Sequence, residues 1–192
     1  DALATLRQVH GARVVEPTAS TAEPPAADAL VLTTPGLAGA VFGADCPLLL
    51  LIAPERRALA LVHSGWRGTA AGVVPATVGH LRRAHGVRPD RLRVVVGPSM
   101  CGTHYEVGDE VVDVIQRAVP STDGLVKPTR PGHALLDLAL AIERQLTAAG
   151  VRPTAIERHP ACTWEAEDTF HSYRRDGEAA GRHVLVAGWV RG

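Results

Sequence analysis

Three side chains with metal-binding or nucleophilic chemistry stand where β-prone segments of this sequence end: His10 in RQVHG, Cys46 in GADCP and His63 in LVHSGWRG. Apolar stretches flank them, VV at 14–15, LAGAVF at 37–42, PLLLLIA at 47–53 and LALV at 59–62. Strand ends are where α/β proteins place their chemistry. One thiolate and two imidazoles converging there suit either a zinc ion or a Cys–His catalytic pair. The intervals of 36 and 17 residues are too long for a local metal motif, and Cys46 could equally be a small buried hydrophobe. Its neighbours shift the balance toward a functional thiol. Asp45 and Pro47 make an irregular strand entrance, and His63 runs into Ser-Gly-Trp-Arg-Gly, which reads as a turn. Three protein ligands would leave a fourth tetrahedral position open, where a water titrates near neutrality.

Longer segments carry a resemblance. QVHG, ADALV, TPGLA, ADC and HSGWRGTAAGVV follow one another in order, and then come VGPSMCGTHYEVGDEV, LLDLALAIERQL and CTWEAEDTFHSYRRDGEAAGR. Together they resemble the laccase-domain or polyphenol oxidase family, which includes the bacterial YfiH and YlmD proteins, and the resemblance spans essentially the whole chain. It implies a layered mixed fold and zinc ligation by His10, Cys46 and His63. It also implies purine nucleoside chemistry, as phosphorylase and adenosine deaminase, beside older labels of polyphenol oxidase and peptidoglycan editing. Two departures stand out. Family members usually begin with several dozen further residues, including an STRxGG-type segment, and nothing like it precedes Asp1. His104 stands where a cysteine often precedes the tyrosine of the YEV segment.

That context gives the neighbouring residues candidate roles, each beside a plainer one. Arg67 suits a bidentate phosphate clamp or a surface ion pair. Trp66 could stack on a purine or anchor its turn. Asp45 could orient a metal-bound histidine or cap a turn. Glu106, after His104 and Tyr105, could serve as a general acid or base or hold its loop. Ser172, Tyr173, Arg174 and Arg175 could approach the substrate, while Asp176-Gly177 reads as a turn joining two strands. Cys101, Cys162 and the histidines at 80, 85, 133, 159, 171 and 183 show no paired spacing and read as structural or solvated. Four-copper oxidase chemistry needs histidines in His-x-His pairs with a soft axial ligand. This chain has nine histidines, no such pair and one methionine.

Composition sets the frame. A chain of 192 residues, 46% hydrophobic, can bury one core, so one domain over 1–192 is expected. Twenty basic and twenty acidic residues balance to a formal charge of zero, which gives no nucleic-acid footprint. No apolar run reaches the roughly 18 residues of a membrane span, and no signal peptide is visible. Three cysteines make an odd, sparse set that argues against a disulfide scaffold and for a reducing cytoplasm.

The elements that must position these residues read as follows. A Pro-rich loop covers 18–27, and strands are expected at 28–34, 37–43, 47–53 and 57–63. Strands so close together predict hairpins and a mixed or antiparallel sheet. A helix is expected from Gly68 to His85, with Pro75 tolerable only in a first turn. Further expectations are a strand at 91–96, helices at 108–118 and 135–149, and strands at 154–158 and 183–190. The fold class is α/β, a single layered domain with mixed sheets flanked by helices.

Three functions follow. The first is a zinc-dependent purine nucleoside enzyme, with Cys46, His63, Arg67 and Asp45 in the chemistry and Arg67, Trp66, Glu106 and Arg174 on the nucleoside and phosphate. The second is a metal-free hydrolase of an amide or cell-wall precursor, with Cys46 as nucleophile and His63 as base. The family's fold similarity to a cysteine-dependent deamidating toxin supports this second reading. The third is an inactive binding module.

Overall fold

A computed structural model describes residues 2–190. Its strands and helices, in chain order, are β1 (Ala2–Ala4), β2 (Val14–Val15), β3 (Ala29–Leu32), β4 (Leu37–Gly43), β5 (Leu48–Ala53), β6 (Ala58–His63), α1 (Trp66–Ala70), α2 (Val73–His85), β7 (Arg93–Val96), β8 (Glu106–Gly108), α3 (Asp109–Ala118), β9 (Val126–Pro128), β10 (His133–Leu136), α4 (Leu138–Ala148), β11 (Ile156–Arg158), α5 (Tyr173–Asp176) and β12 (His183–Gly188).

A six-stranded mixed sheet, in the order β11-β7-β5-β6-β3-β2, forms the centre. Its inner strands β3, β5 and β6 read as nearly unbroken apolar runs because both faces are covered. Alternation then sorts the side chains. Ala29, Val31, Leu49, Leu51, Ala60 and Val62 face a cluster with Val74, Val78 and Leu81 of α2 and Ile142 and Leu146 of α4. Leu30, Leu32, Leu48, Leu59 and Leu61 face the other way, onto Leu37 and Val41 of β4. Each fully buried leucine of this kind stabilises the fold by about 1.5–3 kcal/mol. The second layer is a three-stranded sheet, β1-β4-β12, and a small antiparallel sheet, β8-β10-β9, stands apart. The result is one α/β domain of helices, central sheet and second sheet, with five α-helices among the described residues.

Several expectations change. Of the four strands expected over 28–63, only β5 and β6 form a hairpin; β4 leaves the central sheet and pairs with β1 and β12 in the other layer. The expected helix from Gly68 is two helices broken at Gly72, whose φ of +82° is left-handed. Pro75 then falls in the first turn of α2, where its missing N–H is harmless. The expected helix at 135–149 begins later: 133–136 is β10, and Asp137 caps α4 by accepting from the Leu140 amide at 2.9 Å. The Arg174–Gly177 segment is not a hairpin turn but the short helix α5 and a following 3-10 turn.

Candidate metal centre and active site

His10, Cys46 and His63 reach one place from three directions: the loop after β1, the entrance of β5 and the end of β6. Their ligand atoms all lie within 4.8 Å of one another, and the two imidazole rings meet edge to face. Antiparallel pairing explains two of the three positions, because Leu48 and His63 are directly opposed at one end of the hairpin. The third depends on Asp28, which the sequence reading quoted only as part of a motif. Its buried carboxylate accepts the backbone N–H groups of Val9, His10 and Gly11 at 3.2, 2.9 and 2.7 Å. These bonds hold His10 at a left-handed φ of +59°, a conformation that needs such support. The same carboxylate takes the Nδ1–H of His63 at 2.9 Å, which leaves Nε2 as the nitrogen available to Cys46.

Electrostatics follow from this packing. Burial alone would push the Cys46 thiol up, but hydrogen bonds and charge from His10 and His63 bring it down to about 7. For His63, burial opposes the charge, while Asp28 and Cys46 outweigh it and raise its pKa to about 9. Burial would also raise Asp28, yet its four hydrogen bonds hold it below the usual carboxylate value. Gly65 completes the cradle. A Cβ there would stand 2.7 Å from Cys46 Sγ and 3.2 Å from His10 Cδ2, so no other residue fits without displacing them.

The three side chains line a cavity of about 610 Å³, together with Asp45, Trp66, Arg67, Tyr105, Tyr173, Arg174 and Arg182. Three guanidinium groups on one cavity make it suited to an anion. Arg67 forms no ion pair among the described residues; its Cζ lies 4.3 Å over the Trp66 ring, a cation–π contact. Arg174 lies over Tyr105 at 5.2 Å and donates from Nη1 to the Glu106 carbonyl at 2.8 Å. Burial and the nearby Cys46 sulfur push the Tyr105 hydroxyl up, so it stays a proton donor.

Two expected roles move. Asp45 does not orient a histidine; it accepts from Thr163 Oγ1 at 2.6 Å and from the Arg174 amide at 2.8 Å. It thereby ties the cavity's far wall to the Cys46 turn, at a left-handed φ of +85°. The Glu106 carboxylate turns away, to Thr129 Oγ1 at 2.8 Å and Arg130 Nη2 at 2.9 Å, and only its carbonyl serves the cavity, through Arg174. Arg175 does not reach the cavity; its guanidinium donates to the carbonyls of Thr163, Trp164 and Phe170. Arg182 and Tyr173 line the cavity, and Arg182 carried no sequence signal beyond its motif. The supposedly unpaired residues also gather: Cys101 and Cys162 lie with His104 and Glu165, and His80 and His85 flank Glu16.

An α/β domain with a Cys–His site at the strand ends defines the class. A family model described as multi-copper polyphenol oxidoreductase laccase matches residues 1–190, and the chain belongs to that family. A purine nucleoside phosphorylase of Deinococcus radiodurans is 39% identical over 194 residues, covering 100% of this chain and 72% of the relative. Adenosine deaminase RL5, from an unknown prokaryotic organism, is 36% identical over 156 residues, covering 81% of this chain and 59% of that protein. The crystal structure of YlmD from Geobacillus stearothermophilus superposes with a TM-score of 0.93 at 31% identity, covering 98% of this chain and 74% of that one.

Proposed function

We propose that this protein is a zinc-dependent purine nucleoside enzyme that splits adenosine and inosine by phosphorolysis and deaminates adenosine. The observation that carries this reading is the convergence of His10, Cys46 and His63 in a cavity lined by Arg67, Arg174 and Arg182. Relatives named for phosphorylase and deaminase activity support it. The donor set fits zinc: a thiol held near 7, and an imidazole whose second nitrogen is fixed by a carboxylate. His10, Cys46 and His63 would hold the zinc ion, which would supply Lewis acidity to the bound substrate or water.

The chain's own residues do the rest. In phosphorolysis a phosphate oxygen bonds to the ribose C1′ as the C–N bond breaks and its electron pair leaves with the purine. Arg67, splayed on Trp66, presents a planar fork to that phosphate, and Arg174 and Arg182 add charge. The Tyr105 hydroxyl, kept protonated by burial and the nearby Cys46 sulfur, is a donor available to a nucleoside bound in the cavity. Deamination exchanges the adenine amino group for oxygen from water and releases ammonia. No helix among the described residues is long and apolar enough to cross a membrane, and three free thiols suit a reducing cytoplasm.

One arrangement favours a second reading. Asp28, His63 and Cys46 stand in the order carboxylate, imidazole, thiol, as in a metal-free cysteine hydrolase. Purified protein should be offered adenosine, inosine and guanosine with and without phosphate, with free base, inosine and ammonia followed, before and after chelation. Phosphate-dependent base release that disappears on chelation is the expected result. Amidase activity in metal-free protein would transfer the site to the second reading, and no turnover of any kind would leave a binding module.

A further inference from the structure

A second group of metal-capable side chains lies outside the cavity. Cys101 and His104 come from the loop after β7, and Cys162 and Glu165 from the loop after β11. Each pair is separated by two residues, a spacing that lets one loop present two ligands to one ion. The loops are neighbours because β7 and β11 pair in parallel, and Ser99 continues that pairing to Cys162. All four ligand atoms lie within 4.8 Å of one another.

The geometry around His104 decides what this group is. Its Nδ1 stands 3.2 Å from Cys101 Sγ, 3.9 Å from Cys162 Sγ and 3.3 Å from Glu165 Oε1. One ring nitrogen carries one proton or one lone pair, so hydrogen bonding accounts for only one of those three partners. Ligand atoms bound at about 2.0–2.3 Å in a tetrahedron lie roughly 3.3–3.8 Å apart, which is the spacing of a shared cation. Supporting contacts surround the group. The Cys101 amide donates to Cys162 Sγ at 3.2 Å, Thr103 Oγ1 lies 3.0 Å from Cys101 Sγ, and Trp164 stacks on His104.

We propose that Cys101, His104, Cys162 and Glu165 bind a second zinc ion, in a closed structural site distinct from the cavity. Two thiolates, one imidazole and one carboxylate complete a tetrahedron and leave no open position, so the site holds structure rather than performing chemistry. Its ion joins the two loops that wall the cavity. One carries Met100 and Tyr105; the other carries Thr163, the hydrogen-bond donor to Asp45, and leads to Arg174.

The test counts zinc in full-length protein grown with zinc, dialysed, and measured by mass spectrometry. Wild type should hold two ions per chain, Cys46→Ala one, and Cys101→Ser/Cys162→Ser one. X-ray absorption of Cys46→Ala should then show two sulfur ligands at about 2.3 Å and two lighter ligands at about 2.0–2.2 Å. That measurement stands even if the double variant fails to fold, because it uses an intact Cys101 site. A zinc count unchanged in a folded Cys101→Ser/Cys162→Ser protein, or a folded Cys46→Ala protein with none, overturns the proposal. So does a Cys101–Cys162 disulfide in protein kept under reducing agent.

Discussion

Cys46 is held between two imidazoles at an irregular strand entrance rather than in the packed core, so its removal should spare the fold. Cys46→Ala should lose the ion of the His10–Cys46–His63 group and lower kcat/KM by about 10²-fold or more, with the circular dichroism spectrum unchanged. In metal-stripped wild type, alkylation of Cys46 mapped by peptide mass should rise with a midpoint near pH 7 rather than near 9, and added zinc should suppress it. Asp28 is the opposite kind of residue, a buried charge on which four donors depend. Asp28→Asn should destabilise by about 3–5 kcal/mol, since it leaves His63 and three amides poorly matched. Because Asp28 is held below its ordinary 3.8, its contribution is complete above that pH and is lost as pH falls through the lower folded value. Urea titrations from pH 6 to 2 should therefore show a shallower acid limb in Asp28→Asn than in wild type. At Arg67, lysine retains charge but not the fork, so Arg67→Lys should damage phosphorolysis more than deamination. Equal losses in both reactions would make Arg67 a general organiser of the cavity.

At the scale of elements, the turn after β6 is built for close approach. Gly65 lets α1 begin directly over Cys46, and Gly72 breaks the helix so that α2 can turn onto the central sheet. Gly72→Ala would force a side chain into φ of +82°, and a loss of about 1 kcal/mol is expected, lowering Tm by about 2–4 °C. Activity should survive, because α1 and the cavity are untouched. Most elements were legible in the sequence because apolar runs and helical periodicity are local signals. β1, β8, β9 and β10 were not: each is three or four residues long, too short for a period to show. Nor does an apolar run reveal which sheet it joins. β4 resembles its neighbours in composition, yet its partners are β1 and β12, from the two ends of the described chain.

For the whole molecule, the cavity exists only because the layers are stacked. Its lining comes from the loop before Gly11, the end of β4 and the turn into β5, the end of β6, the start of α1, the loop after β7, α5, and the segment between α5 and β12. Ions bound across such separate segments couple to global stability. Chelation of zinc present at about 100 times its Kd should remove about 2.7 kcal/mol and lower Tm by about 5–10 °C, measured by scanning calorimetry. An unchanged Tm with complete metal loss would mean that neither group of ligands depends on its ion for order.

The sequence alone determined the fold class and most helix-forming and strand-forming segments, because local periodicity is written along the chain; it offered His10, Cys46 and His63 as candidates through their residue types and the family resemblance of the segments that carry them. Tertiary structure alone decided which carboxylate serves them. Asp45 is the immediate neighbour of Cys46 but binds Thr163 and Arg174, whereas Asp28, 35 positions from His63, accepts its Nδ1–H. It also decided that Glu106 faces Arg130, that Arg182 reaches the cavity, and that Cys101 meets Cys162 across 61 positions. Hydrogen bonds and ligand contacts span only about 3 Å. Which distant residues come within that reach depends on sheet order and register, and neither is encoded in any one segment.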